Sequence, residues 1–467
     1  MKVARWPVAS AYILMALAVL TFRPAQTGGP FLRDFEAYWS AGATANAHAD
    51  PYGRAIWNAE RGIPGLDGSR DELLPFVGPP ATLLLWKPLA RLPYVDAARV
   101  WFVILLAAAL ALATAALRAS GERLSWAGFI ATAALALAFG PLTSDLALGQ
   151  IALLAFLAAL LVTLPMVATA RSGLPAAIAA FVALLQPNVA MGLISQLGRA
   201  RTALAVGLAA AGAYLAGAAV SGWSWPRDYA QQLLTHDGVE RFSVIQITPA
   251  AIAHGFGAPP AASVAIAAVA AAAAVTAAIL LWRHISNAFA RFAAFSALTP
   301  FAASFFHEHD LIVAFAAAVW CAVRARGIVR ALALAATLWV AVDWLGLAQR
   351  PTGIVQSALL GLAVAGAFAA RNQGHEWRAT LAALAVTGAI FAFAAGLAAA
   401  HPAPVWPDAL GSFHAPPDAT VPQVWYEEQR RSGLLAISPA WAFLRTLSLG
   451  GCALLAVCVA LDRSARA

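Results

Sequence analysis

The chain carries little charge. Asp, Glu, Lys and Arg make up 11% of its 467 residues, against 61% hydrophobic. A soluble domain has about 25% charged and about 45–50% apolar residues. A water-soluble fold cannot cover this much apolar side chain, so the sequence reads as a membrane protein, with mean hydropathy +0.74. Cysteine is scarce: Cys321, Cys452 and Cys458 all lie in or beside apolar runs, and they form neither a metal spacing nor a disulfide framework. Long polar stretches are few. The three present, 23–96, 221–258 and 400–436, fall short of the usual globular domain of about 100–150 residues. Residues 1–467 are therefore expected to form one integral membrane domain. Ionisable residues are nearly absent from the middle of the apolar runs. That argues against an ion-coupled transporter, which usually keeps charges near the bilayer midplane.

What the chain has in plenty is apolar runs of spanning length. A helical span takes about 20 residues. Candidate spans are 8–22, 97–117, 125–141, 148–168, 202–220, 259–282, 288–304, 310–323, 328–346, 353–370, 378–399 and 437–460. The expected fold is thus all-α and polytopic, with about 12 transmembrane helices. The first run follows Lys2 and Arg5 like a signal peptide. No small-x-small cleavage site follows it, so it reads as an uncleaved first span. Segment 173–196, "GLPAAIAAFVALLQPNVAMGLISQ", is broken by Pro187 and flanked by Arg171, Arg199 and Arg201. With both ends on one side it is a re-entrant hairpin, its polar tip Gln186–Pro187–Asn188 placed at a cavity wall.

Charge orients the chain. With both termini cytoplasmic, the inner side holds sixteen of the 30 basic residues but only Glu122, Glu376 and Asp462 of the 22 acids. This follows the Lys/Arg bias of cytoplasmic loops. It also explains the net charge of +8 as a topology signal, without nucleic acid as a partner. The three long polar segments then face the exterior or periplasm of a bacterial inner membrane.

The candidate site residues cluster on that outer side. In "FLRDFEAYWSAG", Phe35, Tyr38, Trp39 and Gly42 recur at i, i+3, i+4 and i+7, which predicts an amphipathic interfacial helix over 35–48. Asp34 stands where it can cap that helix. A cap also fixes a carboxylate in space, as a general base requires. Tyr38 and Trp39 are either interfacial belt residues or a platform for sugar. "PPATLLLWKPLARLP", 79–93, is too short to span and is expected to dip into the outer leaflet. Its Lys87 either snorkels or meets an anionic headgroup or phosphate. Asp145 and Gln150 sit at the outer ends of two spans and can line the same mouth, or serve as a cap and a surface polar group. In "SFFHEHDLI", His307 and His309 at i and i+2 do not share a helical face, although an extended segment could use both, and no metal is expected. They can instead hold a phosphate, while Asp310 caps the next helix.

At these residues the chain resembles glycosyltransferase family 87, a branch of the GT-C membrane glycosyltransferases. The resemblance rests on "RDFEAYWSAG…ADPYG", "PPATLLLWKPLARLP", "ARVWFVI", "LALGQIALL" and "LLQPNVAMGLI" in that order, over about residues 10–345. It implies a GT-C fold whose extracytoplasmic loops form the active-site cavity. It implies a polyprenyl-phosphate sugar donor, typically of mannose, a glycolipid or cell-envelope glycan acceptor, inverting transfer, and no nucleotide sugar or other cofactor. The family's acid in the first outer loop falls on Asp34 as general base. Its outer-mouth histidine falls on His307 or His309. Gln186 stands where many members carry a basic residue, which leaves the donor-phosphate contacts open among Lys87, His307 and His309. The expected function is a membrane hexosyltransferase. The rivals are a flippase or transporter of lipid-linked sugars and an O-antigen ligase or polymerase, although the latter usually has one very large outer loop.

Overall fold

A computed structural model describes residues 30–122, 125–164, 167, 173–349, 361 and 377–465. The expected spans 8–22 and 353–370 lie outside these, save for Gly361. All regular structure among the described residues is helical. Helix starts are marked by short polar side chains. Ser125, Thr248 and Ser438 accept from the backbone N–H of Gly128, Ala251 and Trp441, and Asn287 accepts from Phe289 and Ala290. These satisfy donors that the first helical turn leaves unpaired.

Five described helices are long and apolar enough to cross a bilayer: Tyr94–Ala119, Ala200–Ser221, Pro260–His284, Arg378–Ala400 and Pro439–Leu461. They coincide with five of the hydropathy spans. Pro260–His284 buries only 6% of its apolar stretch inside the protein, leaving a face suited to lipid. Pro439–Leu461 is largely enclosed, and Gly451 brings it against Val340 and the Ala336 carbonyl of the Gly327–Ala341 helix.

Among the other described runs, 288–304 gives only the 15-residue helix Ala288–Ala302 and the rest are broken or short, so the count of twelve is not confirmed. Run 125–141 stops at Phe139, whose backbone is extended, and resumes as the helix Gly140–Leu148. Run 148–168 holds the helix Ala152–Thr163. Run 310–323 opens as a 3-10 turn over His309–Ala314. Run 328–346 splits into Gly327–Ala341 and Trp344–Gln349. The breaks in 125–141 and 328–346 meet: a Cβ at Gly140 would lie 2.4 Å from the Ala341 carbonyl oxygen. Two helix ends meet there and open irregular backbone, which is tolerated where it is buried in protein or lines a cavity. The hairpin is not confirmed either. Leu174–Leu184 forms one arm, but the chain beyond Gln186 continues as the single turn Pro187–Ala190 and the 3-10 segment Met191–Gln196.

The first polar segment forms a helix, Phe35–Asn46, close to the predicted 35–48. It is not a surface helix. Phe35, Glu36, Ala37, Ser40, Ala41, Gly42, Thr44 and Ala45 are all buried, so its sides are enclosed. The periodicity saw the aromatic stripe but not the small residues opposite, which admit a second neighbour. That neighbour is the helix Leu83–Leu89 of the expected dipping segment, which lies so close that a Cβ at Gly42 would stand 2.3 Å from the Trp86 carbonyl oxygen. Gly42→Ala is accordingly expected to cost about 1–3 kcal/mol through overpacking. Gly207→Ala, on an open helical face with nothing within 4 Å, is expected to be neutral or mildly stabilising. Thermal unfolding of the two variants in detergent checks the contrast.

Candidate active site

The loop before the Phe35–Asn46 helix is held on several sides. Phe31 and Leu32 carbonyls accept from the Tyr94 hydroxyl at 2.7 and 3.1 Å. The Asp34 N–H donates to the Leu148 carbonyl at 3.0 Å. Gly149, at φ +82°, lies where a Cβ would stand 2.9 Å from both Leu32 and Phe35, so only glycine fits both the turn and the contact. Leu32 is itself left-handed at φ 61° and fully buried. Such a conformation costs on the order of 1–3 kcal/mol and persists where surroundings enforce it, often at functional sites.

These contacts aim Asp34 at a cavity of about 480 Å³. Asp34 occupies the N-cap position, but its side chain makes no cap hydrogen bond, so the capping expectation is corrected. Its Oδ2 instead accepts from Gln150 Nε2 at 2.6 Å. Gln150 Oε1 in turn accepts from the Tyr38 hydroxyl at 2.5 Å, and the Tyr38 ring stacks on Trp86 at 4.7 Å and 8°. The chain of bonds orients one carboxylate oxygen. The other, Oδ1, has no hydrogen-bond partner among the described residues, which leaves it free to receive a proton.

The same cavity is lined by a buried carboxylate with four donors. Glu240, at the end of the helix Trp225–Glu240, accepts from Gln246 Nε2 at 2.6 Å and from Trp425 Nε1 at 2.7 Å. It also pairs with His307 Nε2 at 2.6 Å and His236 Nε2 at 3.0 Å. Burial pushes the Glu240 carboxyl up, but the charge of His307 and the bonds from both histidines outweigh it and hold the group well below the usual carboxylate range. Burial pushes His307 down, yet Glu240 outweighs it and the imidazole is raised. For His309 burial outweighs Asp310, whose Oδ1 lies 3.9 Å from Nε2, and pushes the imidazole down. The two histidines, 5.3 Å apart between ring centres, are thus shifted in opposite directions.

His307, His309 and Asp310 place three metal-type ligand atoms within 4.8 Å of one another. The i, i+2 objection fails because the chain is irregular at His307 and enters its 3-10 turn only at His309. His307 Nε2 is already engaged by Glu240 and Gln246, however, so a cation would have to take its other nitrogen. Asp310 does not cap the following helix by a side-chain bond. Its Oδ2 accepts from the His307 N–H at 3.0 Å.

Asp34, Tyr38, Gln150, His307 and His309 all line the one cavity, as do Gln186, Pro187 and Asn188. Lys87, Trp39 and Asp145 do not. Lys87 lies on the helix Leu83–Leu89, whose Trp86 supplies the cavity wall in its place. Trp39 turns the other way, donating to the Leu92 carbonyl at 3.1 Å and meeting Tyr94 edge to face. Asp145 is fully buried behind the wall, and neither carboxylate oxygen has a side-chain partner. Among the wall residues that escaped the sequence reading are Glu240 and Arg445. Glu240 gave no signal beyond an acid in an outer segment. Arg445 did: it stands inside the apolar run 437–460, where a charge marks a functional position by default.

The Glu240–His307 pair has a pH signature. A raised histidine stabilises fully below its unfolded value of 6.5 and loses that contribution as pH climbs through the higher folded value. A lowered carboxyl stabilises fully above its unfolded value of 4.5 and loses it only in stronger acid. The pair is therefore strongest between these two values. The thermal midpoint in detergent is expected to fall as pH rises from about 6.5 to 9, and His307→Gln is expected to flatten that fall.

No curated protein and no solved structure matches the chain. The family model of glycosyltransferase family 87 matches residues 76–306, from the segment that carries Trp86 through Gln150, the polar tip at Gln186 and the Glu240 helix to the threshold of His307. Over that stretch, just under half of its length, the chain is similar to glycosyltransferase family 87.

Proposed function

We propose that this glycosyltransferase moves a hexose, mannose being the family's usual one, from a polyprenyl-phosphate donor to a glycolipid or cell-envelope glycan. The observation that carries the reading is that Asp34 and the two histidines, 273 and 275 positions further along the sequence, line one cavity. Asp34 Oδ1 takes the proton from the acceptor hydroxyl. The acceptor oxygen attacks the sugar C1 from the face opposite the phosphate, and the C1–O bond to phosphate breaks with inversion. The electron pair leaves on the phosphate, where the His307 and His309 rings stand to donate hydrogen bonds to the growing charge.

Gln150 and Tyr38 act through Asp34, as positioning residues. The polar tip at Gln186 and Asn188 adds uncharged hydrogen-bonding groups for sugar hydroxyls. In this reading Lys87 makes no phosphate contact from inside the cavity. The outer polar segments face the periplasm or exterior of a bacterial inner membrane, and the termini are cytoplasmic. The lipid tail of the donor lies along the apolar wall.

Asp34→Asn keeps the shape of the side chain and the Gln150 contact but removes the base. Transfer from a polyprenyl-phosphate sugar in proteoliposomes is expected to fall roughly 10²–10⁴-fold, with the variant folding normally. Full transfer by a normally folded Asp34→Asn would sink the assignment. Movement of the labelled lipid between leaflets with its sugar still attached would favour a flippase instead.

A further inference from the structure

The cavity wall carries two guanidinium groups, Arg33 and Arg445, and they differ in one respect. Arg33 is neutralised: it pairs with Glu72 and, at 3.4 Å, with Glu36, and lies over the Trp406 ring at 4.6 Å. Arg445 has no acidic partner among the described residues. It is only 1% exposed and sits within the apolar helix Pro439–Leu461. Its Nη1 donates to the carbonyls of Ser243 and Gln246 at 3.3 and 2.9 Å, and its Nε to the Trp441 carbonyl at 3.3 Å. Its Nη2 lies beside Gly255, where a Cβ would intrude at 2.8 Å, and has no hydrogen-bond partner. One helical turn on, Ser448 also lines the cavity, and its buried hydroxyl has no partner either.

A buried cation without a counter-charge is costly, and so is each buried donor without an acceptor. Three backbone carbonyls fix the guanidinium but do not neutralise it. An oxyanion in the cavity would supply the missing charge and accept from Ser448. Arginine suits such a group because its fork matches the oxygens of a phosphate. We propose that Arg445 and Ser448 form a seat for a phosphate group, the fixed positive pole of the cavity on the side supplied by the Pro439–Leu461 helix. This deepens the proposed transfer and rests on it for the lipid-linked form of the phosphate. The seat itself lies outside residues 76–306, the stretch that matches the family.

The test is binding, which needs no turnover. Purified full-length protein in detergent is titrated with a polyprenyl monophosphate, with the matching uncharged polyprenol, and with inorganic phosphate. Wild type is expected to prefer the polyprenyl phosphate over the polyprenol. Arg445→Gln is expected to weaken phosphate binding roughly 10- to 100-fold, the usual worth of a charged hydrogen-bonding group, with polyprenol affinity unchanged. Competition by inorganic phosphate that disappears in Arg445→Gln assigns a seat open to free phosphate. Binding of the lipid form alone, lost in the same variant, assigns a headgroup; either result supports the seat. A folded Arg445→Gln that keeps the wild-type preference overturns it, as does a wild type with no preference. Should Arg445→Gln not fold, Ser448→Ala decides: a several-fold loss confined to phosphate supports the seat, and unchanged affinity rejects it. Asp34→Asn separates the two readings. It should bind phosphate as wild type does, so transfer surviving in Asp34→Asn removes the base and leaves the seat standing.

Discussion

The contact on which the site depends is the hydrogen bond from Gln150 Nε2 to Asp34 Oδ2, at 2.6 Å across 116 positions of sequence. It ties the first outer segment to the turn between the Gly140–Leu148 and Ala152–Thr163 helices. The Asp34 N–H bond to the Leu148 carbonyl runs beside it, and Gly149 permits both by lacking a side chain. Once that corner is closed, Leu32 is forced left-handed, Tyr38 is brought under Gln150, and the Phe35–Asn46 helix is wedged against Leu83–Leu89. Asp34 is thus oriented by structure on every side but one, and the open side is the cavity. A carboxylate held this way needs little rearrangement to accept a proton, which is how an enzyme makes a weak base effective.

The charges around the cavity are balanced unequally, and the imbalance has chemical content. Arg33 is answered by Glu36 and Glu72. Burial first, with Arg33 opposing it, pushes the Glu36 carboxyl up to about 8, so Glu72 is the main counter-charge of Arg33. Glu240 is answered by two histidines, an amide and an indole. Only Arg445 among the wall guanidiniums is held by neutral groups alone. A site that must receive an anion and release it benefits from one such unanswered cation, because a cation paired internally offers an incoming phosphate little net gain.

Much of the site could be read from residue type and place. Asp34, Tyr38, Gln150, His307 and His309 are polar or aromatic groups beside the ends of apolar runs, and all five reach the cavity. Trp39, Lys87 and Asp145 share that description but face elsewhere, because rotation about a helix axis and the choice of neighbour are set by packing. Trp39 follows Tyr38 by one position, a turn of about 100° on a helix, and that alone sends it to Leu92. Glu240 could not be read at all. Its partners His307 and Trp425 lie 67 and 185 positions away, and nothing local marks such a meeting. Arg445 was legible as a charge inside an apolar run, but its lack of an acidic partner was not.

Composition and hydropathy by themselves determined that this chain belongs in a bilayer and is built of helices. These are properties of local sequence: an apolar side chain prefers lipid or core wherever it stands, and a backbone in lipid must satisfy its own hydrogen bonds. Tertiary structure alone decided which apolar runs break, as at Phe139 and Ala341, and which polar groups share a cavity. Those outcomes depend on contacts between segments far apart in the chain, where a missing Cβ at Gly42, Gly140 or Gly149 sets how close two backbones come and therefore which side chains meet.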